Sequence, residues 1–181
     1  MKNNFKKFIK DIIPVLVGVL LALWINNWNE ERKDKRYIDN FYTSLKIELK
    51  ETDTEITEKM PNQESLVDTL SFYVNNEKLS LLQIIEKVGG VDAPTIKLNY
   101  WKALSSTKIE LLPFQKLSVL ADIEEGNELV KYKLNKILDF IYSNWTETTK
   151  DSKLKMKIMI EELIRSQIEV QKDIRKILEE Q

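Results

Sequence analysis

The feature that most constrains this chain is an uncharged apolar stretch near its N-terminus. Residues 12–25 contain no Asp, Glu, Lys or Arg. As an α-helix, these fourteen residues rise about 21 Å, which is short of the roughly 30 Å hydrocarbon core of a bilayer. Aromatic residues flank the stretch, as in interfacial belts, and counting from Phe8 to Trp28 extends the span to about 31 Å. The sequence therefore predicts a transmembrane helix, with a buried helix of a soluble protein as the alternative.

The residues after the apolar stretch argue against a cleaved signal peptide. Cleavage requires small residues in an Ala-x-Ala-like pattern. The chain continues instead with Trp24-Ile25-Asn26-Asn27-Trp28. We therefore expect a signal anchor, with Trp24, Asn26, Asn27 and Trp28 at the membrane interface or against a partner.

Basic residues on the two sides of the stretch are nearly equal in number. The tail carries Lys2, Lys6, Lys7 and Lys10, and the other flank carries Arg32, Lys33, Lys35 and Arg36. Lys and Arg close to a membrane helix favour the cytoplasmic side. Because the basic residues of the short tail lie closer to the apolar stretch, we expect a cytoplasmic N-terminus with the rest of the chain outside.

Two further features of the anchor suggest a function. Gly18 and Ala22 form a small-x-x-x-small pair, which lets two helices pack closely, although such residues are common in membrane helices. Asp11 lies about one turn inside the span. A carboxylate there is either part of an ion pathway or a headgroup-level residue near Lys7 or Lys10.

The chain after Trp28 keeps a helical pattern. Apolar residues and one Thr recur at three- and four-residue spacing, at Ile38, Tyr42, Leu45, Leu49, Thr52 and Ile56. This heptad-like stripe indicates a helix that packs on one face. No Gly or Pro lies between Trp28 and Met60, so we expect the membrane helix to continue as one long helix and to end before Pro61. A second helix is predicted over residues 62–74.

The sequence up to Trp145 predicts three short helices and one longer helix. They cover residues 79–88 with a stop at Gly89-Gly90, residues 99–106, residues 114–124 with a stop at Gly126, and residues 130–145. Residues 109–112 are predicted to be extended, because Pro113 follows at once.

The last helix is predicted to begin near Asp151 as its N-cap. Its core stripe is Met156, Ile160, Leu163, Gln167, Val170, Ile174 and Ile177. Ile158, Met159, Ile164, Ile168 and Leu178 widen the stripe. A wide stripe favours a bundle core over a two-stranded coiled coil.

Composition excludes several kinds of site. The chain has no Cys and no His, which removes disulfides, thiol nucleophiles, the commonest general base and the commonest transition-metal ligand. Lys+Arg is 28 and Asp+Glu is 29, and the two signs alternate, so there is no basic patch for nucleic acid.

Other candidate features have simpler interpretations. Glu48, Glu51 and Glu55 share one helix face and could bind a cation, but nearby lysines favour a solvated face. Tyr100 and Trp101 could stack a ligand, but core packing is the better interpretation. We therefore expect no catalytic, cofactor-binding or metal-binding residue, and no small-molecule substrate.

The sequence from Gly18 to Arg32 resembles the opening of a large family of uncharacterised bacterial membrane-anchored proteins. Its members share an apolar helix that runs into Ile-Asn-Asn-Trp-Asn-Glu and then a charged helix, and Tyr100 to Leu112 is a weaker match. Trp24 departs from the pattern, which usually has a polar residue there. The resemblance implies an inner-membrane helical protein and transfers no catalytic residue.

The sequence thus predicts an all-α protein with a single N-terminal transmembrane helix continuous with a long helix of a soluble helical bundle. Residues 1–28 form a cytoplasmic tail and anchor, and residues 29–181 form the bundle, which we expect to be periplasmic. The expected function is a non-enzymatic scaffold or accessory subunit that binds a partner protein or itself through helix–helix contacts. The alternative is a homo-oligomeric channel or ion-coupled subunit that uses the anchor and Asp11.

Overall fold

All regular secondary structure in the described part of the chain is helical. A computed structural model describes residues 2–179, with side chains from residue 12 onward. Between residues 2 and 179 there is no strand. The elements are α1 (Lys2–Phe72), α2 (Leu81–Lys87), α3 (Asn99–Ser105), a 3-10 turn (Ile109–Leu111), α4 (Phe114–Asn144) and α5 (Lys150–Glu179). The predicted all-α class is confirmed.

The chain divides into two compact units between Tyr42 and Thr43. The N-terminal unit consists of the first part of α1. The C-terminal unit combines the rest of α1 with α2, α3, α4 and α5. Its core lies between the rest of α1, α4 and α5. The division predicted after Trp28 is of another kind, because it separates a membrane anchor from a soluble part. It stays a prediction.

Helix α1 continues through Pro61 to Phe72, so the predicted end before Pro61 and the separate helix over residues 62–74 are wrong. Proline inside a helix removes one backbone hydrogen bond and costs about 3 kcal/mol. The buried stripe nevertheless stays in register, because Ile56 and Gln63 are seven residues apart and both are buried. Leu66 and Leu70 continue the stripe. Burial of these side chains offsets the local cost of the proline.

Helix α4 likewise continues through Gly126, where the sequence predicted a stop. A Cβ added at Gly126 would lie 2.4 Å from Cγ2 of Val170 on α5. Real Cβ atoms do not approach another carbon so closely, since the optimal separation is about 3.5–4 Å. Gly126 therefore lies where α4 and α5 approach closely, and its missing side chain serves packing rather than termination.

Gly126→Ala is expected to destabilise the protein by about 1 kcal/mol. Overpacking costs about 1–3 kcal/mol, and the better helix propensity of Ala returns up to about 1 kcal/mol. In a Val170→Ala background the same change should stabilise, because the close atom is gone. Urea unfolding of the wild type, the two single variants and the double variant gives the effect of Gly126→Ala on the free energy of unfolding in both backgrounds. A destabilising effect of equal size in both backgrounds would contradict this account.

Helix α5 carries the predicted core stripe. Met156, Ile160, Leu163, Gln167, Val170, Ile174 and Ile177 are all buried. The expected widening is wrong at Ile158 and Ile168, which are 57% and 44% exposed. Polar contacts join α5 to α1: Gln171 Nε2 donates to Thr57 Oγ1 at 2.9 Å, and Arg175 Nε donates to Asp53 Oδ1 at 2.9 Å.

Helix α2 confirms the short helix predicted within residues 79–88. Ser80 and Gln83 form a capping box at its start. Gly89 and Gly90 follow with φ of 83° and 109°, which favour glycine and end the helix.

Two local predictions near other helix ends are wrong. Residues 109–111 form a 3-10 turn rather than an extended segment. At the start of α5, Thr149 rather than Asp151 caps the helix, because Thr149 Oγ1 accepts from the backbone N–H of Ser152 at 3.3 Å.

Lys153 is a fully buried cation that joins two loops of the C-terminal unit. Its Nζ donates to the carbonyl of Thr148 at 2.8 Å and to the carbonyl of Asn76. Burial lowers the pKa of Lys153 below its ordinary 10.5, although Glu77 acts in the opposite direction. A neutral amine keeps two N–H donors, so both carbonyls stay bonded after the proton is lost.

The stability of the wild type should rise with pH relative to Lys153→Met. Between the lowered pKa and 10.5, the folded state has released the proton of Lys153 while the unfolded state still holds it. The unfolded state then binds more protons, and stability increases with pH in that window. The urea midpoint of the wild type minus that of Lys153→Met should rise as the pH increases from 7 to 10.5. A fall in this difference over that range would contradict the assignment.

Candidate interaction site

The first part of α1 exposes a continuous apolar surface. Among the described residues, one helix is long and apolar enough to cross a membrane, and none of its most apolar eighteen-residue window is buried. The large apolar residues from 13 to 28 are 47% to 66% exposed; they include Ile13, Val15, Leu16, Leu20, Leu23, Trp24 and Trp28. A core helix of a soluble protein would be covered by its neighbours. None of the described residues packs over this apolar surface.

The small residues of this helix lie on that open surface. A Cβ placed on Gly18 would have nothing within 4 Å, and Ala22 one turn later is exposed. The pair can therefore accept a second helix at close range, as the small-x-x-x-small spacing requires. The side chain of Asp11 lies outside the described residues, so its predicted ion-coupling role stays a prediction.

The polar end of the predicted anchor has defined side-chain contacts. Asn26 Nδ2 donates to Glu30 Oε1 at 3.3 Å. The guanidinium of Arg32 lies over the Trp28 ring, with Cζ 4.9 Å from the ring centroid. Trp24 is 66% exposed and Asn27 is exposed. The predicted interfacial residues thus share one short helical segment, and Arg32 joins them through Trp28.

Glu48 has a structural role that the sequence did not reveal. It was interpreted as part of a solvated face, but it is only 5% exposed. Its Oε1 accepts from the backbone N–H of Asn99 at 2.9 Å and from Asn99 Nδ2 at 2.7 Å, and its Oε2 accepts from the N–H of Tyr100 at 3.1 Å. Glu48 therefore caps the N-terminus of α3 from another helix.

Its two neighbours hold the extended segment that precedes α3. Glu55 accepts from the backbone N–H of Thr95 at 3.1 Å, and Glu51 pairs with Lys97 at 3.0 Å. Hydrogen bonding to Glu51 raises the pKa of Lys97. The glutamate face is thus occupied by this chain, and none of the described residues forms a group of three or more acidic side chains able to hold a metal.

The two aromatic residues considered for ligand stacking are placed differently. Trp101 is buried, and its Nε1 donates to Glu124 Oε2 at 2.7 Å, so it belongs to the core. Tyr100 is 47% exposed on the surface. The arrangement does not bring them together as a stacking site, because one ring is packed inside and the other faces solvent.

One side of α5 also exposes apolar side chains. Leu154, Ile158 and Ile168 lie opposite the core stripe, and all three are exposed. At about 100° per residue they share one side of the helix with Glu161 and Arg165. We call these five residues the outer face of α5. Glu161 and Arg165 lie between Ile158 and Ile168, so the face mixes apolar and charged side chains, as non-obligate protein contact surfaces do.

Comparison of the chain with models of protein families, with curated proteins and with solved structures finds no match.

Proposed function

We propose that this protein is a membrane-anchored scaffold or accessory subunit of a bacterial inner-membrane complex. The observation that carries the proposal is the uncovered apolar helix of residues 13–28, which needs lipid or another helix around it. The first part of α1 then crosses the membrane, with the N-terminus in the cytoplasm and the C-terminal unit in the periplasm. The family resemblance from Gly18 to Arg32 agrees with this location.

The protein acts through helix–helix contacts rather than by catalysis. The outer face of α5 is the contact surface in the C-terminal unit, and Gly18 with Ala22 supplies one in the membrane. Full burial of an isoleucine contributes about 1.5–3 kcal/mol, and because Ile158 and Ile168 are about half exposed, covering each of them gains roughly half of that. A partner protein or a second copy recovers that free energy by covering them.

The test is native mass spectrometry of the tagged full-length protein, purified from its own membranes in mild detergent. We expect a stoichiometric partner chain or a second copy, lost in the double variant Ile158→Ser with Ile168→Ser. Ile47→Ser, which changes an exposed isoleucine on α1, should leave the assembly intact. A wild-type protein that runs only as a monomer would contradict the proposal, as would normal assembly after deletion of residues 1–28.

A further inference from the structure

We propose that Arg32, stacked on Trp28, binds the phosphate group of a membrane phospholipid at the end of the anchor. This inference rests on the proposed membrane anchoring and names the ligand of its polar end. Arg32 lies four residues after Trp28, so both side chains project from the same face of α1. The Cζ of Arg32 is 4.9 Å from the centroid of the Trp28 ring.

The stacking places the guanidinium at headgroup depth. Helical side chains lean towards the N-terminus, and the ring contact brings the charge of Arg32 back to the level of Trp28. The span of about 31 Å from Phe8 to Trp28 matches the roughly 30 Å hydrocarbon core, so Trp28 lies at the edge of that core. The headgroup layer begins there and is roughly 5–7 Å thick. The guanidinium therefore lies next to the lipid phosphates.

The chemistry of the pair fits a phosphate. The flat face of a guanidinium stacks on an aromatic ring, while its five N–H donors point outward in the plane and match two phosphate oxygens. The nearby carboxylate of Glu30 is held by Asn26 at 3.3 Å. Glu30 lies two residues before Arg32, about 200° away around the helix, so it faces the other side. Glu31 and Lys35 lie about 60° and 20° from Trp28 around the helix, so one carboxylate and a second cation flank the Trp28–Arg32 side. The two cations outnumber that carboxylate and favour an anionic ligand.

Solid-state NMR of the full-length protein in phosphatidylcholine vesicles tests this directly. The chain has only four arginines, Arg32, Arg36, Arg165 and Arg175. With ¹³C at arginine Cζ, dephasing by lipid ³¹P reports a carbon–phosphorus distance, which is about 4 Å for a bidentate pair. We expect that the dephased intensity falls sharply in Arg32→Gln. Arg165→Gln, which removes an arginine of α5, should leave that intensity unchanged.

The outcomes separate this inference from the anchoring itself. If the protein floats with the vesicles but Arg32→Gln keeps the full dephased intensity, the phosphate contact is refuted and the anchor stands. Absence of dephasing in the wild type, with flotation intact, refutes it equally. If the wild type does not float with the vesicles, the anchoring proposal fails, and the phosphate contact fails with it.

Discussion

Glu48→Ala is expected to destabilise the C-terminal unit by about 2–4 kcal/mol. The substitution removes three hydrogen bonds to a nearly buried carboxylate. It leaves two backbone N–H groups at the start of α3 without their acceptor, and a hydrogen bond to a charged group contributes about 1.5–3 kcal/mol. The residue before α3, Leu98, offers no side-chain cap to replace the lost one. Urea unfolding of the full-length protein in detergent, followed by circular dichroism, measures the change.

Glu51→Ala is the matched control, one turn along the same helix. Glu51 pairs with Lys97 at 3.0 Å, but both side chains are about half exposed. Exposed ion pairs contribute about 0–1 kcal/mol. Equal effects of the two substitutions would show that Glu48 does not cap α3.

Val17→Arg together with Leu20→Arg is expected to abolish membrane insertion. Both residues lie near the middle of the exposed apolar helix. An arginine at the centre of a membrane helix costs about 2.5–3.5 kcal/mol on insertion scales, so the pair costs about 5–7 kcal/mol. Membrane fractionation of cells that express the variant should place the protein in the soluble fraction or in aggregates. The apolar exchange Val17→Leu with Leu20→Val should fractionate as the wild type, and an unchanged membrane fraction of the arginine variant would count against a spanning helix.

The stripes of α1 and α5 were predictable because burial follows a local period. Met156 to Ile177 repeat at three and four residues, and a helix turns those positions to one side whatever covers them. The helix ends predicted at Pro61 and Gly126 were wrong for one physical reason. The effects of Pro61 and Gly126 on an isolated helix are local, whereas the packing that overrides them comes from residues distant in sequence. The unbroken register across Pro61, with seven residues from Ile56 to Gln63, was the available signal.

The role of Glu48 was not predictable from its neighbourhood. Its partners Asn99 and Tyr100 lie 51 and 52 residues later, and lysines near Glu48 in sequence suggested a solvated face. One indirect signal existed, since no Ser, Thr or Asp immediately precedes α3 to cap it. A helix start without a local cap requires an acceptor from elsewhere. The pairing of Arg32 with Trp28 is simpler, because a spacing of four residues already places both on one face.

The most direct test of the central claim is flotation of the full-length wild-type protein with its native membranes, followed by alkaline carbonate extraction. The claim is that the uncovered helix of residues 13–28 crosses a lipid bilayer. We expect the protein to rise with the membranes in a sucrose gradient and to stay in the pellet after extraction, because burial of that apolar surface is not disrupted by high pH. Release of the protein into the carbonate supernatant would contradict a spanning anchor.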